Sequence, residues 1–266
     1  MSALRAAILA VPFILAGCMT ATSHDPDYVA RFITAERAGL PFAPVTDDKP
    51  ATTLPQAYRL QHRYVRQRIR AGDRVAGYKG GLMSPASLRS RNVTEPLVGT
   101  LFASGRADQG AIISLCGYRK ASFELKLGHL IGDGRVLPVI DLPDIAYRDP
   151  DHYGAVDMVA ANVSAARYVR GTARPPDSLP LDAIGVTLHR DGRRIASGST
   201  GESLGGQRES VRTVVALARK AGRKPLPGDL IVTGKIGDRG WLLPGRYIAD
   251  YGPFGNVTFQ VVACPR

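Results

Sequence analysis

The pattern of apolar and polar positions divides the chain into unlike stretches. From Leu54 to Ala71 apolar residues recur close to every 3.6 positions (Leu54, Ala57, Tyr58, Tyr64, Val65, Ile69), which predicts an amphipathic helix. Pro55 suits its first turn and Gly72 its end. The same reasoning predicts helices at Tyr153–Asn162 and at Ser210–Ala221, the latter with Val211, Val214, Val215 and Ala218 on one face and Gly222 as stop. Between them the pattern changes to short runs broken by Gly and Pro. Strands are predicted at Arg74–Gly77, Gly99–Phe102, Ala111–Leu115, Ser122–Leu130, Arg135–Leu142, Ile184–Arg190, Arg193–Gly198, Leu230–Thr233, Tyr247–Tyr251 and Val257–Val262. His189-Arg190-Asp191-Gly192-Arg193 reads as a hairpin turn. Strands outnumber helices and do not alternate with them, so the pattern points to an α+β fold with a rolled or sandwiched sheet.

The first 53 residues read differently. Met1–Gly17 carries Arg5, then the apolar stretch Ala6–Leu15, then small residues, the layout of a secretory signal. It is too short to span a bilayer, which needs roughly 20 residues. Leu15-Ala16-Gly17-Cys18 resembles the lipobox of bacterial lipoproteins, which implies lipid on Cys18, anchorage to a membrane and a place in the cell envelope, on the periplasmic face of the outer membrane. An ordinary signal peptide with a chance cysteine is the alternative. Thr20–Thr53, with Pro26, Gly39, Pro41, Pro44 and Pro50, reads as a tether holding one short helix around Tyr28–Ala38. The expected organisation is therefore 1–17 signal, 18–53 lipidated cysteine and tether, and 54–266 a single folded domain.

Composition narrows the class. With 266 residues, 44% hydrophobic and 22% charged, the chain is ordinary globular material with enough length for a sizeable core. The net charge of +12 is spread along the chain rather than gathered in a stripe with interleaved aromatics, which speaks against nucleic acid as partner. The densest basic stretch, Arg59 to Arg70, lies on one predicted helix and reads as a solvated face. Once Cys18 is assigned to lipid, Cys116 and Cys264 remain. In an exported protein that even pair suits one disulfide, and two buried thiols are the other reading. Cys116 precedes the predicted strand holding Glu124 and Cys264 ends the last strand, so adjacency of those strands would bring the two together. The five His show no ligand spacing that suits zinc.

No phosphate-binding loop, nucleophile elbow or paired-cysteine motif is present. A series of segments in order carries more: Ala57-Tyr58-Arg59-Leu60-Gln61, Gly77-Tyr78-Lys79-Gly80-Gly81, Glu95-Pro96-Leu97-Val98-Gly99-Thr100-Leu101-Phe102, Phe123-Glu124-Leu125, Leu137-Pro138-Val139-Ile140-Asp141, Asn162-Val163-Ser164, Pro227-Gly228-Asp229 and Phe254-Gly255-Asn256-Val257. The series resembles the 2-keto-4-pentenoate hydratase branch of the fumarylacetoacetase-like superfamily from about Leu54 to Val262. The resemblance implies a mixed β-roll or sandwich of the fumarylacetoacetase C-terminal-like type with outer helices. It also implies Mg²⁺ or Mn²⁺ held by three carboxylates, on which a small 2-oxo or 2-hydroxy-dienoic acid is chelated and hydrated.

Carried over residue by residue, the metal ligands fall on Glu124, Asp141 and Ser122, where the last stands in place of a Glu and ligates weakly or through water. Lys79 falls on a lysine that contacts the substrate carboxylate, and Ser164 on a serine that helps to hold the substrate. Ser104 replaces a family Asp, and Leu204-Gly205-Gly206-Gln207 replaces Leu-Gly-His-Pro. Without the resemblance, Lys79 reads as a solvated lysine, Glu124 as a surface residue paired with Lys126 or Lys120, and Asp141 as a cap or turn residue. Three functions follow: a metal-dependent hydratase, a catalytically degenerate envelope lipoprotein that binds a ligand or partner, and a related decarboxylase or acylpyruvate hydrolase. A homo-oligomer is left open.

Overall fold

The computed structural model describes residues 27–149, 151–176 and 179–265. The signal segment 1–17 and the lipidation site Cys18 lie outside the described residues. In chain order the elements are α1 (Asp27–Ala38), α2 (Val45–Asp48), α3 (Leu54–Arg70), β1 (Val75–Gly81), α4 (Pro85–Ser90), β2 (Leu97–Phe102), β3 (Arg106–Asp108), β4 (Ile112–Ser114), β5 (Ser122–Leu130) and β6 (Val136–Leu142). They continue with α5 (Ala155–Ala160), β7 (Arg167–Arg170), β8 (Gly185–Arg190), β9 (Arg193–Ser199), α6 (Gly206–Lys220), β10 (Leu230–Val232), β11 (Ile236–Trp241), β12 (Gly245–Asp250) and β13 (Asn256–Val262).

Two mixed sheets form the body. The larger has eight strands in the order β2-β1-β10-β5-β6-β7-β3, with β11 also paired to β5; the smaller runs β4-β13-β12-β8-β9. In the larger sheet β1 runs parallel to β10 and β3 parallel to β7, while the other pairs are antiparallel. Strand alternation divides β5 cleanly. Phe123, Leu125 and Leu127 enter the core between the sheets, where they meet Ile140, Leu188, Tyr247, Ala249 and Phe259. Ser122, Glu124 and Lys126 take the opposite face. On the outside α6 lays Val214 and Ala218 over Tyr78, Val98 and Ile231.

The α3 helix starts where the sequence reading places it. The Gln56 side chain accepts the Thr53 N–H at 2.7 Å and Pro55 occupies the first turn. Its buried face carries Ala57, Gln61, Tyr64 and Val65. Gln61 is the polar exception, and its Nε2 donates to Val98 O at 2.9 Å and Val159 O at 3.2 Å, tying helix to strand and to α5. The hairpin between β8 and β9 turns on Asp191 and Gly192, both at positive φ.

Two expectations are corrected. The helix expected around Tyr28–Ala38 is present as α1, but the tether reading of the stretch does not hold from Asp27 onward. Tyr28, Val29, Phe32, Ile33, Phe42 and Val45 are buried in the same core as Tyr64 and Val159, and the Phe32 ring lies 4.5 Å from Phe42 and 5.0 Å from Tyr64. Spacings of three and four on α1 make an apolar face, and each large side chain buried there contributes about 1.5–3 kcal/mol. The Cys116–Cys264 disulfide is present as expected, with Cα atoms 4.7 Å apart, and the second correction concerns only how the two cysteines meet. The strand that brings them together is β4, not the strand holding Glu124. It runs parallel to β13 with Ser114 opposite Val262, two residues before each cysteine.

Candidate active site

Four charged side chains from three strands of the larger sheet converge. Glu124 on β5 and Asp141 on β6 are direct register partners, so their side chains emerge side by side on one face. Lys126 follows Glu124 by two and shares its face. Lys79 comes from β1, two strands away across β10, through the register Lys79–Val232–Gly128. Lys79 Nζ lies 2.5 Å from Asp141 Oδ2. Lys126 Nζ lies 3.2 Å from the same oxygen, 3.0 Å from Glu124 Oε2 and 3.3 Å from Gly80 O. Asp141, Lys79 and Lys126 are 1–2% exposed, whereas Glu124 keeps 18% of its side chain open.

The cluster forms one wall of a cavity of about 610 Å³. Lys79, Lys126, Glu124 and Ser164 line it, with Lys235, Arg239 and Arg91 as further cations, Glu202 and Asp238 as further carboxylates, and Met83, Tyr153 and Val163 as apolar surface. Asp141 sits behind the two ammonium groups. Ser122 is fully buried but turned aside, and its Oγ donates to Pro143 O at 3.4 Å. Ser104 lies elsewhere, its Oγ donating to Asp73 Oδ2 at 2.6 Å. Gln207 is buried behind the strands, where its Oε1 accepts from Thr233 Oγ1 at 2.7 Å. The structure thus brings Lys79, Glu124, Asp141 and Ser164 to one place and leaves Ser122 outside the cavity wall.

The electrostatics follow from this burial. Burial pushes the Glu124 carboxyl up, but Lys126 and Lys79 outweigh it and hold its pKa at about 2 instead of 4.5. Burial pushes Lys79 below the ordinary lysine value, with Asp141 opposing and Lys126 adding to the effect. Burial acts on Lys126 in the same sense, but Glu124 and Asp141 outweigh it and raise this ammonium. A carboxyl whose folded pKa is depressed contributes stability above its unfolded pKa and loses it as pH falls through the folded one. The Glu124 contribution, on the order of 3 kcal/mol, is therefore complete above pH 4.5 and disappears toward pH 2. Glu124→Gln is expected to unfold at lower urea concentration at pH 7 and to lose less further stability between pH 4.5 and 2 than the parent, measured by denaturation midpoints across that range.

Ser164 is placed by a single left-handed turn. Asn162, Val163 and Ser164 all have positive φ, between 53° and 54°, a conformation costing roughly 1–2 kcal/mol per non-glycine residue. The Asn162 side chain pins it: Thr100 N donates to its Oδ1 at 2.8 Å and its Nδ2 donates to Thr100 O at 2.9 Å. Gly99 makes room, since a Cβ there would lie 2.7 Å from Asn162 O and 3.0 Å from Val163 Cβ. Gly99→Ala is expected to cost about 1–3 kcal/mol and to weaken acid binding by displacing Ser164. Urea unfolding and ligand titration of the same variant check both effects.

No protein-family model matches the chain. It is similar to the 2-keto-4-pentenoate hydratase of Paraburkholderia xenovorans (strain LB400), with 32% identity over 230 residues that cover 79% of this chain and 84% of the relative. The chain belongs to the 2-keto-4-pentenoate hydratase family. Further relatives carry the same name, and the chain is an enzyme of the hydratase class, a carbon–oxygen lyase. Among solved structures it is similar to 4-oxalocrotonate decarboxylase from Pseudomonas putida G7 complexed with magnesium and adipate, at TM-score 0.82 and 23% identity over 88% of this chain and 95% of that one. It is also similar to fumarylpyruvate hydrolase from Pseudomonas aeruginosa in complex with Mn²⁺ and pyruvate, at TM-score 0.55 and 15% identity over 70% and 89%. The α+β architecture is that of the fumarylacetoacetase C-terminal-like fold.

The similar solved structures of 4-oxalocrotonate decarboxylase and fumarylpyruvate hydrolase hold magnesium and Mn²⁺ respectively. The residues present here do not fit a divalent metal as they stand. Among the described residues no group of three or more His, Cys, Asp or Glu side chains comes together. Asp141 Oδ2 and Glu124 Oε2 are already ion-paired with the lysine ammonium groups, Ser122 faces Pro143, and neither buried oxygen of Asp141 has a hydrogen-bond partner. Mg²⁺ can take its remaining ligands from water, but here it would have to displace ammonium groups from both carboxylates. Lys126, Arg91, Lys235, Arg239, Glu202 and Asp238 are the charged cavity residues that sequence reasoning did not assign to the site. For Lys126 a signal existed, because any strand that turns Glu124 toward a site turns Lys126 the same way.

Proposed function

We propose that this chain adds water to a small 2-hydroxy-dienoic acid, as the names of its relatives indicate, converting 2-hydroxypenta-2,4-dienoate to 4-hydroxy-2-oxopentanoate. The observation that supports this best is the buried Lys79–Asp141–Lys126–Glu124 cluster in the wall of a cavity sized for a small molecule. The cationic lining suits a carboxylate, and Ser164 offers one more hydrogen bond to it. As the dienol ketonises, negative charge grows on the 2-oxygen, which Lys126 stabilises by shifting a proton bond from Gly80 O. Lys79, with its ammonium made more acidic by burial, gives a proton to the terminal carbon, and the proton released from the 2-hydroxyl as the C=O bond forms restores the ammonium. Water then adds to C4 of the conjugated 2-oxo acid. Glu124, ionised and open to the cavity, orients that water, and its proton ends on C3.

The test follows the loss of dienol absorbance with product identification. Turnover of the dienoate, reduced by about a hundredfold in Lys79→Met, is expected. Carbon dioxide release from 4-oxalocrotonate without hydration would replace this reading by the decarboxylase one, and turnover of neither by a ligand-binding role.

We also propose that the enzyme is exported and lipid-anchored at Cys18. Leu15-Ala16-Gly17-Cys18 supports it, and so does the Cys116–Cys264 disulfide, a bond that persists in oxidising compartments. Cys18→Ser is expected to move the protein from the membrane fraction to the soluble one or to block processing. Unchanged processing and fractionation would count against the anchor.

A further inference from the structure

We infer that the Lys126 ammonium replaces the divalent cation of the relatives, so that this chain binds its acid ligand without a metal. The part concerning the acid ligand rests on the proposed function; the part concerning the cation does not. Of the three positions that the family resemblance assigns to metal ligation, two, Glu124 and Asp141, hold Lys126 Nζ at 3.0 and 3.2 Å. The third, Ser122, carries no charge and is bonded to Pro143 O. Lys126 reaches this point without distortion because strand alternation places it on the face of residues 122 and 124.

Charge counting leads to the same conclusion. Two carboxylates face two ammonium groups, and the three residues deepest in the wall are 1–2% exposed. A dication added here would be an uncompensated double charge, whose removal from water costs several kcal/mol even after relaxation. It would also share Asp141 with two cations already in contact with it. The Lys126 ammonium, by contrast, is a single charge that is paired with both carboxylates, Glu124 Oε2 and Asp141 Oδ2, and donates a hydrogen bond to Gly80 O. The Gly80 contact, at 3.3 Å, is the longest of the three, and it is the one a ligand oxygen replaces.

The experiment uses the full-length protein purified with chelator, and titrates Mn²⁺ and then pyruvate by calorimetry. Wild type is expected to take up no Mn²⁺ up to about 1 mM and to bind pyruvate equally with and without it. The double variant Ser122→Glu with Lys126→Ala removes the ammonium and restores a carboxylate. It is expected to gain a Mn²⁺ site at least about tenfold tighter than wild type, because ligand charge sets affinity, and its pyruvate binding should become metal-dependent. One equivalent of Mn²⁺ on wild type would overturn the inference, and this measurement needs no variant to fold. A folded double variant that gains no Mn²⁺ site would overturn it equally. If wild type refuses both Mn²⁺ and pyruvate while the variant gains the metal, the cation replacement stands and the acid-ligand reading falls.

Discussion

Asp141→Asn is expected to lower the unfolding free energy by roughly 3–5 kcal/mol, the usual cost of stripping one partner from a buried ion pair. Asp141 is 1% exposed and holds two ammonium groups on one oxygen. Without its charge, Glu124 is left to balance both lysines. Lys79, already made more acidic by burial, then loses its closest counter-charge. The variant is expected to lose about a hundredfold in kcat/KM as well, because the cluster is the polar wall against which charge develops. Adding Lys79→Met to Asp141→Asn removes one charge of each sign and should recover most of the stability but none of the activity. Urea unfolding of both single variants and the double gives the coupling energy. Additive losses would show that the two residues do not act as a pair.

The second large effect concerns stability without chemistry. Cys116→Ser with Cys264→Ser is expected to cost about 4–5 kcal/mol, since the bond closes a chain segment with a sequence separation of 148. Both cysteines are exposed, so reductant should reproduce the effect on the parent protein. The bridge locks β4 to β13 in the smaller sheet, whereas the charged cluster belongs to the larger one. Activity at low temperature should therefore survive, with the denaturant midpoint alone displaced. Equal midpoints with and without reductant would refute the expectation.

Much of this was legible from local pattern. The 3.6 spacing of α3, the period of two in β5 and the Asp191-Gly192 turn each encode their own conformation within a few residues. What escaped has a common cause: it depends on partners far away in sequence. β7 and β3 are short, and they exist as strands because they pair with each other, with β7 also on β6. β11, rich in Gly and charge, is a strand because β5 lies beside it. The α1 face looked like tether because its core partners, Tyr64, Tyr147 and Val159, come 30 to 130 residues later. At the site, Lys126 escaped notice because a lysine next to a glutamate suggests a solvated pair. The same alternation that put Ser122 and Glu124 on one face also placed Lys126 there, and only the burial of the strand decides that the face is an interior one.

The position of β10 has a consequence for the order of events in making the protein. Leu230–Val232 is the strand that separates β1 from β5, so Lys79 and Asp141 are held apart in sequence and joined in space by a segment from the last sixth of the chain. A nascent chain that has released everything up to residue 229 still lacks the strand that joins β1 to β5 in its larger sheet and cannot assemble the charged cluster. Pairings of such long sequence separation are slow to form. The charged cluster is therefore completed only after β10 is available, late in the making of the chain, although its four side chains lie before residue 142.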